Sequence, residues 1–212
     1  MRVIAGTARR TVLQVAERTA TRPMLEKARG SLANALARCI AGAAVLDLYA
    51  GSGALGIEML SRGAELAVFV ERDPAAVKAL SDNLARCGLL GRSLILPRSA
   101  GSAVGRLAQA RLRRKKDGTD ETGETRPALF DLVFVDPPFE QAARWASDPE
   151  GRHVTSALPS LLRPGGVVLF RFEERRAAPP DWPGLAPQRD QRYGRSRVVW
   201  YVASDEAGEP AP

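Results

Sequence analysis

Short apolar runs separated by segments of helical period fill the chain from Ala43 onward. AVLDLY (44–49), LAVFVE (66–71), SLILP (93–97), ALFDLVFVD (128–136) and VVLFRF (167–172) have the length and near-continuous apolarity of strands buried on both faces. Between them, 53–62, 74–87, 102–114 and 154–162 read as helices, the last stopping at Arg163-Pro164-Gly165-Gly166. Two further strands, 186–192 and 197–202, close the chain around a turn at Tyr193-Gly194. Strands alternating with helical crossovers predict an α/β, Rossmann-like fold. Its sheet is doubly wound and mostly parallel, with an antiparallel C-terminal edge.

Ahead of this region the texture differs. A short strand, a turn at Gly6 and a second strand from Thr11 to Val15 form a small N-terminal hairpin. Thr21-Arg22-Pro23 then opens a helix, proline suiting the first turn, where its missing N–H would have no partner. Leu32, Leu36 and Ile40 carry the helical period to about Ile40. The chain thus divides into a hairpin-and-helix extension (1–42), a main domain (43–203) and a tail (204–212) expected to be disordered. The polar stretch 113–127 reads as a loop.

Composition narrows the classes. With 212 residues and 45% hydrophobic content, the chain suits one globular domain with a small appendage. It contains no apolar run long enough to span a bilayer, and its first residues lack the apolar stretch of a secretory signal, so a cytoplasmic location is expected. The two cysteines, Cys39 and Cys87, form no C-x-x-C pair. No metal site is expected. His153 is the single histidine and has no nucleophile elbow nearby.

The net charge is +7, and residues 1–42 hold eight basic residues against two acidic, a balance of +6. A face of this kind is the footprint of a polyanion binder. Arg9, Arg10, Arg22 and Arg29 are the candidates for phosphate contacts.

Candidate chemistry begins at VLDLYAGSGALG (45–56). A strand runs into Asp47, then Gly51-Ser52-Gly53, then a helix, and the third glycine of a pyrophosphate fingerprint is missing. Glycines there leave room for a ligand close to the backbone. Glu71 ends the next strand, where a carboxylate accepts hydrogen bonds from a ribose diol. Asp47 beside the turn suits a cationic end. S-Adenosylmethionine, with a sulfonium and an α-amino group, matches both acids. A nicotinamide cofactor could also use Glu71. In LPRSAGS (96–102) no acid is available for an adenine amino group, which leaves backbone groups, Ser99, Ser102 or apolar packing.

The most specific signal is FDLVFVDPPF (130–139). A buried strand ends in Asp136-Pro137-Pro138-Phe139, and the prolines remove two backbone donors. That leaves a cluster of acceptors. An exocyclic amino group is a poor nucleophile because its lone pair is delocalised into the ring. If the Asp136 carboxylate and the Pro137 carbonyl each accept one of its N–H groups, the nitrogen is drawn toward tetrahedral geometry. Phe139 offers a face for a base that has left its stack.

Together these segments resemble the RsmD family of bacterial 16S rRNA guanine-N2 methyltransferases. RVIAGTARR (2–10), TRPMLEKARGSLANAL (21–36), VLDLYAGSGALGIEMLSRGA (45–64), FVERD (69–73), the helix with Asn83-Leu84, FDLVFVDPPF, LLRPGGVVLFRFEE (161–174) and RYGRSRVVWY (192–201) follow in the family's order. The resemblance implies a class I methyltransferase fold and methyl transfer from S-adenosylmethionine to a guanine N2 of small-subunit RNA. It implies Asp136, Pro137 and Phe139 at the base, and Asp47, Gly51, Gly53 and Glu71 at the cofactor. Pro138 and Arg72, in the same motifs, join them as candidates. It further implies that the N-terminal hairpin and helix face RNA. The partner is ribosomal RNA or a partly assembled small subunit, and a monomer is expected. Two other readings stand beside it: an adenine-N6 or other amino-methyltransferase acting on DNA or another RNA, and a non-catalytic RNA-binding assembly factor.

Overall fold

The computed structural model describes residues 1–16, 24, 26–117, 129–173 and 179–204. Its sheet has seven strands: β1 (Ala44–Leu48), β2 (Leu66–Glu71), β3 (Ser93–Pro97), β4 (Phe130–Val135), β5 (Leu162–Glu173), β6 (Leu185–Tyr193) and β7 (Ser196–Ala203). They lie in the order β3-β2-β1-β4-β5-β7-β6. β1 to β5 pair in parallel, and β7 pairs antiparallel with both β5 and β6. The chain winds outward from β1 in one direction and from β4 in the other. The switch between them opens a crevice at the carboxyl ends of β1 and β4, the usual ligand position in such sheets.

The helices are α1 (Glu26–Ala35), α2 (Ala37–Ile40), α3 (Ala54–Ser61), α4 (Pro74–Arg86), α5 (Ala100–Asp117), α6 (Phe139–Ala142) and α7 (Pro149–Ala157). Alternate residues of each strand serve opposite faces of the sheet. Leu46, Leu48, Val133 and Val135 pack with Val104, Leu107, Val154 and Leu158. On the other face, Val45, Leu132 and Phe134 pack with Leu32, Leu36, Ile40, Ile57, Leu60, Leu80 and Leu84. α4 begins where the Asp73 side chain accepts the N–H groups of Ala75 and Ala76, with Pro74 in the first turn.

Several boundaries differ from those read in the sequence. The first helix breaks at Leu36 and resumes as α2, while residues 17–23 and 25 lie outside the described residues. α7 starts earlier than expected, at Pro149, because Asp148 caps the Gly151 N–H at 2.8 Å. Residues 163–166 do not stop a helix. They lie inside β5, whose register against β4 shifts between Phe130 and Leu132, as glycines at a bulge allow. α5 runs past the expected helix end at 114, so that residues 115–117, expected to be loop, belong to it. The rest of that loop (118–127) and the tail beyond Ser204 lie outside the described residues.

The N-terminal segment forms one bridge pair, Arg2 with Val12, rather than two strands. Beside that bridge the Val3, Arg10 and Leu13 N–H groups donate to the Thr11, Val3 and Met1 carbonyls, and further backbone groups go to side chains of α3. Glu58, fully buried, accepts the N–H groups of Ile4 (2.8 Å) and Ala5 (3.1 Å). Ser61 donates to the Ala5 carbonyl and accepts from the Ala8 N–H. Gly6 crosses so close that a Cβ there would stand 1.7 Å from the Ser61 carbonyl oxygen. Val3 and Leu13 share one apolar cluster with Leu32, Leu36 and Leu60.

Candidate active site

After β1 the backbone turns sharply. Tyr49 takes a φ of 63°, rare for a residue with a side chain, and the Ala50 N–H returns to the Val70 carbonyl of β2. The Gly51 N–H then donates to Glu71 Oε2 at 2.8 Å. Gly53, at φ 76°, leads into α3, and a Cβ there would stand 2.2 Å from Leu80 Cδ1. At Gly51 the same test finds nothing within 4 Å, so this side of the turn faces open space.

The three predicted acids stand near the ends of the adjacent strands β1, β2 and β4, close enough for Asp47 to feel the charges of the other two. Asp47 is buried under the start of α3 and accepts the Gly56 N–H at 3.0 Å. Burial pushes its carboxyl up to about 7. That value is the net result, in which burial dominates, the Gly56 bond opposes it, and the charges of Asp136 and Glu71 add to it. Glu71 accepts three backbone N–H groups, from Gly51, Arg72 and Asp73. A carboxylate has about four acceptor positions, so about one remains for a ligand hydroxyl instead of the pair expected for a diol. The Arg72 side chain is exposed beside them.

Asp136 follows β4 directly. Its carboxylate is a quarter exposed, and Nη1 of Arg171 in β5 donates to both its oxygens, at 2.6 and 2.9 Å. Burial raises its pKa, and Arg171 opposes the rise. The same guanidinium lies 5.0 Å from the centre of the Phe139 ring, and its Nε donates to Ser196 Oγ at 3.1 Å. The Pro138 carbonyl accepts from Gln141 and Ala142 at the start of α6. Among the described residues nothing donates to the Pro137 carbonyl.

Two features were not read from the sequence. Arg171 lies 35 positions from Asp136, and only the adjacency of β4 and β5 joins them. Gln141 Nε2 contacts Tyr49 Oη, Asp148 and Glu150, while Glu150 accepts the Gly101 N–H after β3. This network ties three of the loops around the crevice together. Near the expected adenine position Ser99 is half-buried and Ser102 exposed.

The predicted phosphate contacts are scattered. Arg9 and Arg10 are exposed, in a turn that docks beside Ser61 at the far end of α3. Eight helical residues separate that end from the glycine turn, about 12 Å. Arg22 lies outside the described residues. Arg29 must be corrected: it is buried, donates to the Arg2 carbonyl and lies 3.9 Å from Glu58. Its helix position turns it toward α3 and away from solvent, so it serves the fold. Among the described residues no cluster of metal-ligating side chains occurs, and no helix is long and apolar enough to cross a membrane.

A crevice at the switch point, an open-sided glycine turn and three carboxylates near adjacent strand ends fit a cationic nucleoside cofactor. This is the arrangement of a class I methyltransferase, with S-adenosylmethionine as its cofactor. Residues 1–202 match the family described as conserved hypothetical protein 95. The chain belongs to this family, the RsmD family of the motif resemblance. YlbH of Bacillus subtilis (strain 168), provisionally named an rRNA methyltransferase, is 35% identical over 203 residues, covering 95% of this chain and 98% of that one. Ribosomal RNA small subunit methyltransferase D of Escherichia coli (strain K12) is 37% identical over 143 residues. That match covers 66% of this chain and 61% of the relative. Among solved structures, yhhF of Escherichia coli, provisionally named a methyltransferase, superposes with a TM-score of 0.73 at 26% identity, covering 97% of this chain and 99% of that one. An RNA methyltransferase from Salinibacter ruber, in complex with S-adenosyl-L-homocysteine, shares the fold at a TM-score of 0.56 and 17% identity, covering 89% of this chain and 98% of that one.

Proposed function

We propose that the chain methylates the exocyclic N2 amino group of a guanine in 16S ribosomal RNA. The observation that carries this reading is the Asp136 carboxylate held by Arg171, beside the Phe139 ring and near Asp47, with no donor to the adjoining Pro137 carbonyl among the described residues. The cofactor supplies an electrophilic methyl group on a sulfonium. Glu71 and the glycine turn hold its ribose end, and Asp47 complements its positive end. Asp136 and the Pro137 carbonyl each accept a hydrogen bond from one amino N–H, so the nitrogen lone pair turns toward the methyl group. As the N–C bond forms and the S–C bond breaks, the surplus amino proton passes to Asp136 or water. Phe139 stacks on the flipped base, worth about 1–3 kcal/mol, while Pro138 fixes the direction of the chain.

The names of the relatives support ribosomal RNA as the substrate, free or in a partly assembled small subunit. Guanine N2 follows the family resemblance, because the acceptor pair recognises an amino group and not a ring. In this reading the protein is a cytoplasmic monomer whose N-terminal segment meets RNA through Arg9, Arg10 and Arg22. Mass spectrometry of rRNA nucleosides with and without the gene tests it. Loss of one N2-methylguanosine is the expected result. Loss of N6-methyladenosine would make the enzyme an adenine methyltransferase, and an unchanged nucleoside profile would refute the rRNA reading.

A further inference from the structure

We propose that the β6–β7 hairpin is a second RNA-binding surface, one that grips phosphates next to the base being methylated. This inference rests on the RNA reading above. Strand direction places the hairpin tip. β5 runs parallel to β4, so Arg171 and Glu173 lie at the carboxyl edge where Asp136 follows β4. β7 runs antiparallel, with Ser196 opposite Glu173. The turn from Tyr193 to Ser196 therefore stands on the same edge as the acceptor pair. Contact is direct: Ser196 Oγ accepts from the Arg171 guanidinium that holds Asp136.

Charge supplies the second argument. Residues 189–197 contain four arginines and one aspartate. Arg197 pairs with Asp190, and Arg189 lies 5.3 Å from the Trp200 ring. Arg192 and Arg195 are exposed at the tip. Arg192 is the direct cross-strand neighbour of Arg197. Arg9 and Arg10, by contrast, lie at the end of α3 remote from the glycine turn. The hairpin is thus a basic surface beside the chemistry. β6 is also an edge strand, where arginines can serve only to discourage pairing with another chain.

RNA titrations over a range of salt concentrations separate these roles, using the full chain with Arg192→Ala/Arg195→Ala, Arg192→Lys/Arg195→Lys and Arg9→Ala/Arg10→Ala. Loss of two phosphate contacts lowers the slope of log K against log[salt] by about 1.4 to 1.8. The alanine pair is expected to show that loss and a raised KM for RNA, with S-adenosylhomocysteine affinity and melting temperature unchanged. The lysine pair is expected to keep the wild-type slope. A wild-type slope in the alanine pair would overturn the proposal and leave the hairpin to edge protection or to a protein partner. A slope lost equally in the lysine pair would also overturn it, because charge is retained there. If the wild type itself binds and methylates no RNA, the functional reading fails first, and the wild-type arm reports that separately.

Discussion

Asn83 and Gln14 are locked together by two hydrogen bonds: the Asn83 carbonyl accepts the Gln14 N–H at 2.8 Å, and its amide donates to the Gln14 carbonyl at 2.9 Å. The same amide nitrogen donates to the Ser52 carbonyl in the glycine turn, also at 2.9 Å. One buried side chain of α4 therefore ties the N-terminal segment to the cofactor turn. Asn83→Ala is expected to cost about 2 kcal/mol, because these backbone groups lose their partner. That lowers the melting temperature by about 4–8 °C in a domain of this size. It should also speed proteolysis ahead of Met24 and weaken cofactor binding. A melting temperature equal to wild type would show that the contact does not hold the segment.

The Asp47 carboxyl, raised to about 7 mainly by burial, ties cofactor binding to pH. A cationic ligand favours the carboxylate, so binding at pH 6 should release close to one proton, and affinity should rise from pH 5.5 to 8. Calorimetry in two buffers of different ionisation enthalpy measures the release. A carboxyl whose folded pKa lies above its unfolded value contributes stability at low pH, and the contribution is lost as pH rises through 7. Asp47→Asn should therefore stabilise the ligand-free protein at pH 8 but not at pH 5, and should abolish the pH dependence of binding. Affinity that stays flat with pH in the wild type would remove Asp47 from the cofactor's charged end.

The two glycines of the turn should respond differently to alanine. Both have positive φ, which costs about 1 kcal/mol in either variant. In Gly53→Ala the new Cβ also meets Leu80, so stability falls by a further 1–3 kcal/mol or so. In Gly51→Ala the Cβ points into open space, where the cofactor is expected. Its main effect should be a loss of cofactor affinity, with a fall of only about 2–4 °C in melting temperature. Equal thermal losses with equal affinities would contradict this assignment.

Arg171 opposes the effect of burial on Asp136 and fixes its orientation. Arg171→Met keeps much of the stem packing and removes the charge. The Asp136 pKa should then rise further, moving the acid limb of kcat to higher pH. The turnover number should fall by roughly 100-fold at pH 7, as expected for a misplaced reacting group. A lower kcat with an unmoved acid limb would mean that Arg171 only packs β5 against β7.

How much of this was legible in the sequence follows from how local each feature is. Asp47, Gly51, Gly53, Glu71 and Asp136 stand at strand ends, where short motifs carry their own geometry, and the structure brings them to one edge. Arg171 was invisible because its partner is set by strand order and not by spacing. Arg29 was misread because eight basic residues ahead of Gly42 look alike as charges. Which of them turns toward Glu58 depends on how α1 packs on α3. The N-terminal strands shrank to one bridge because beyond Val3 the Ile4, Ala5 and Ala8 N–H groups go to Glu58 and Ser61. β5 outgrew its apolar run because strand pairing with Phe130 tolerates Pro164-Gly165-Gly166 at a register shift.

Methyl transfer from labelled S-adenosylmethionine to unmodified small-subunit RNA, with nucleosides resolved by mass spectrometry, tests the central claim most directly when wild type and Asp136→Ala are run together. The account predicts N2-methylguanosine from the wild type. It predicts at least a 100-fold slower transfer from the variant, with S-adenosylhomocysteine affinity within a few-fold of wild type. Label in protein or in another nucleoside, or a variant that transfers at the wild-type rate, would contradict it.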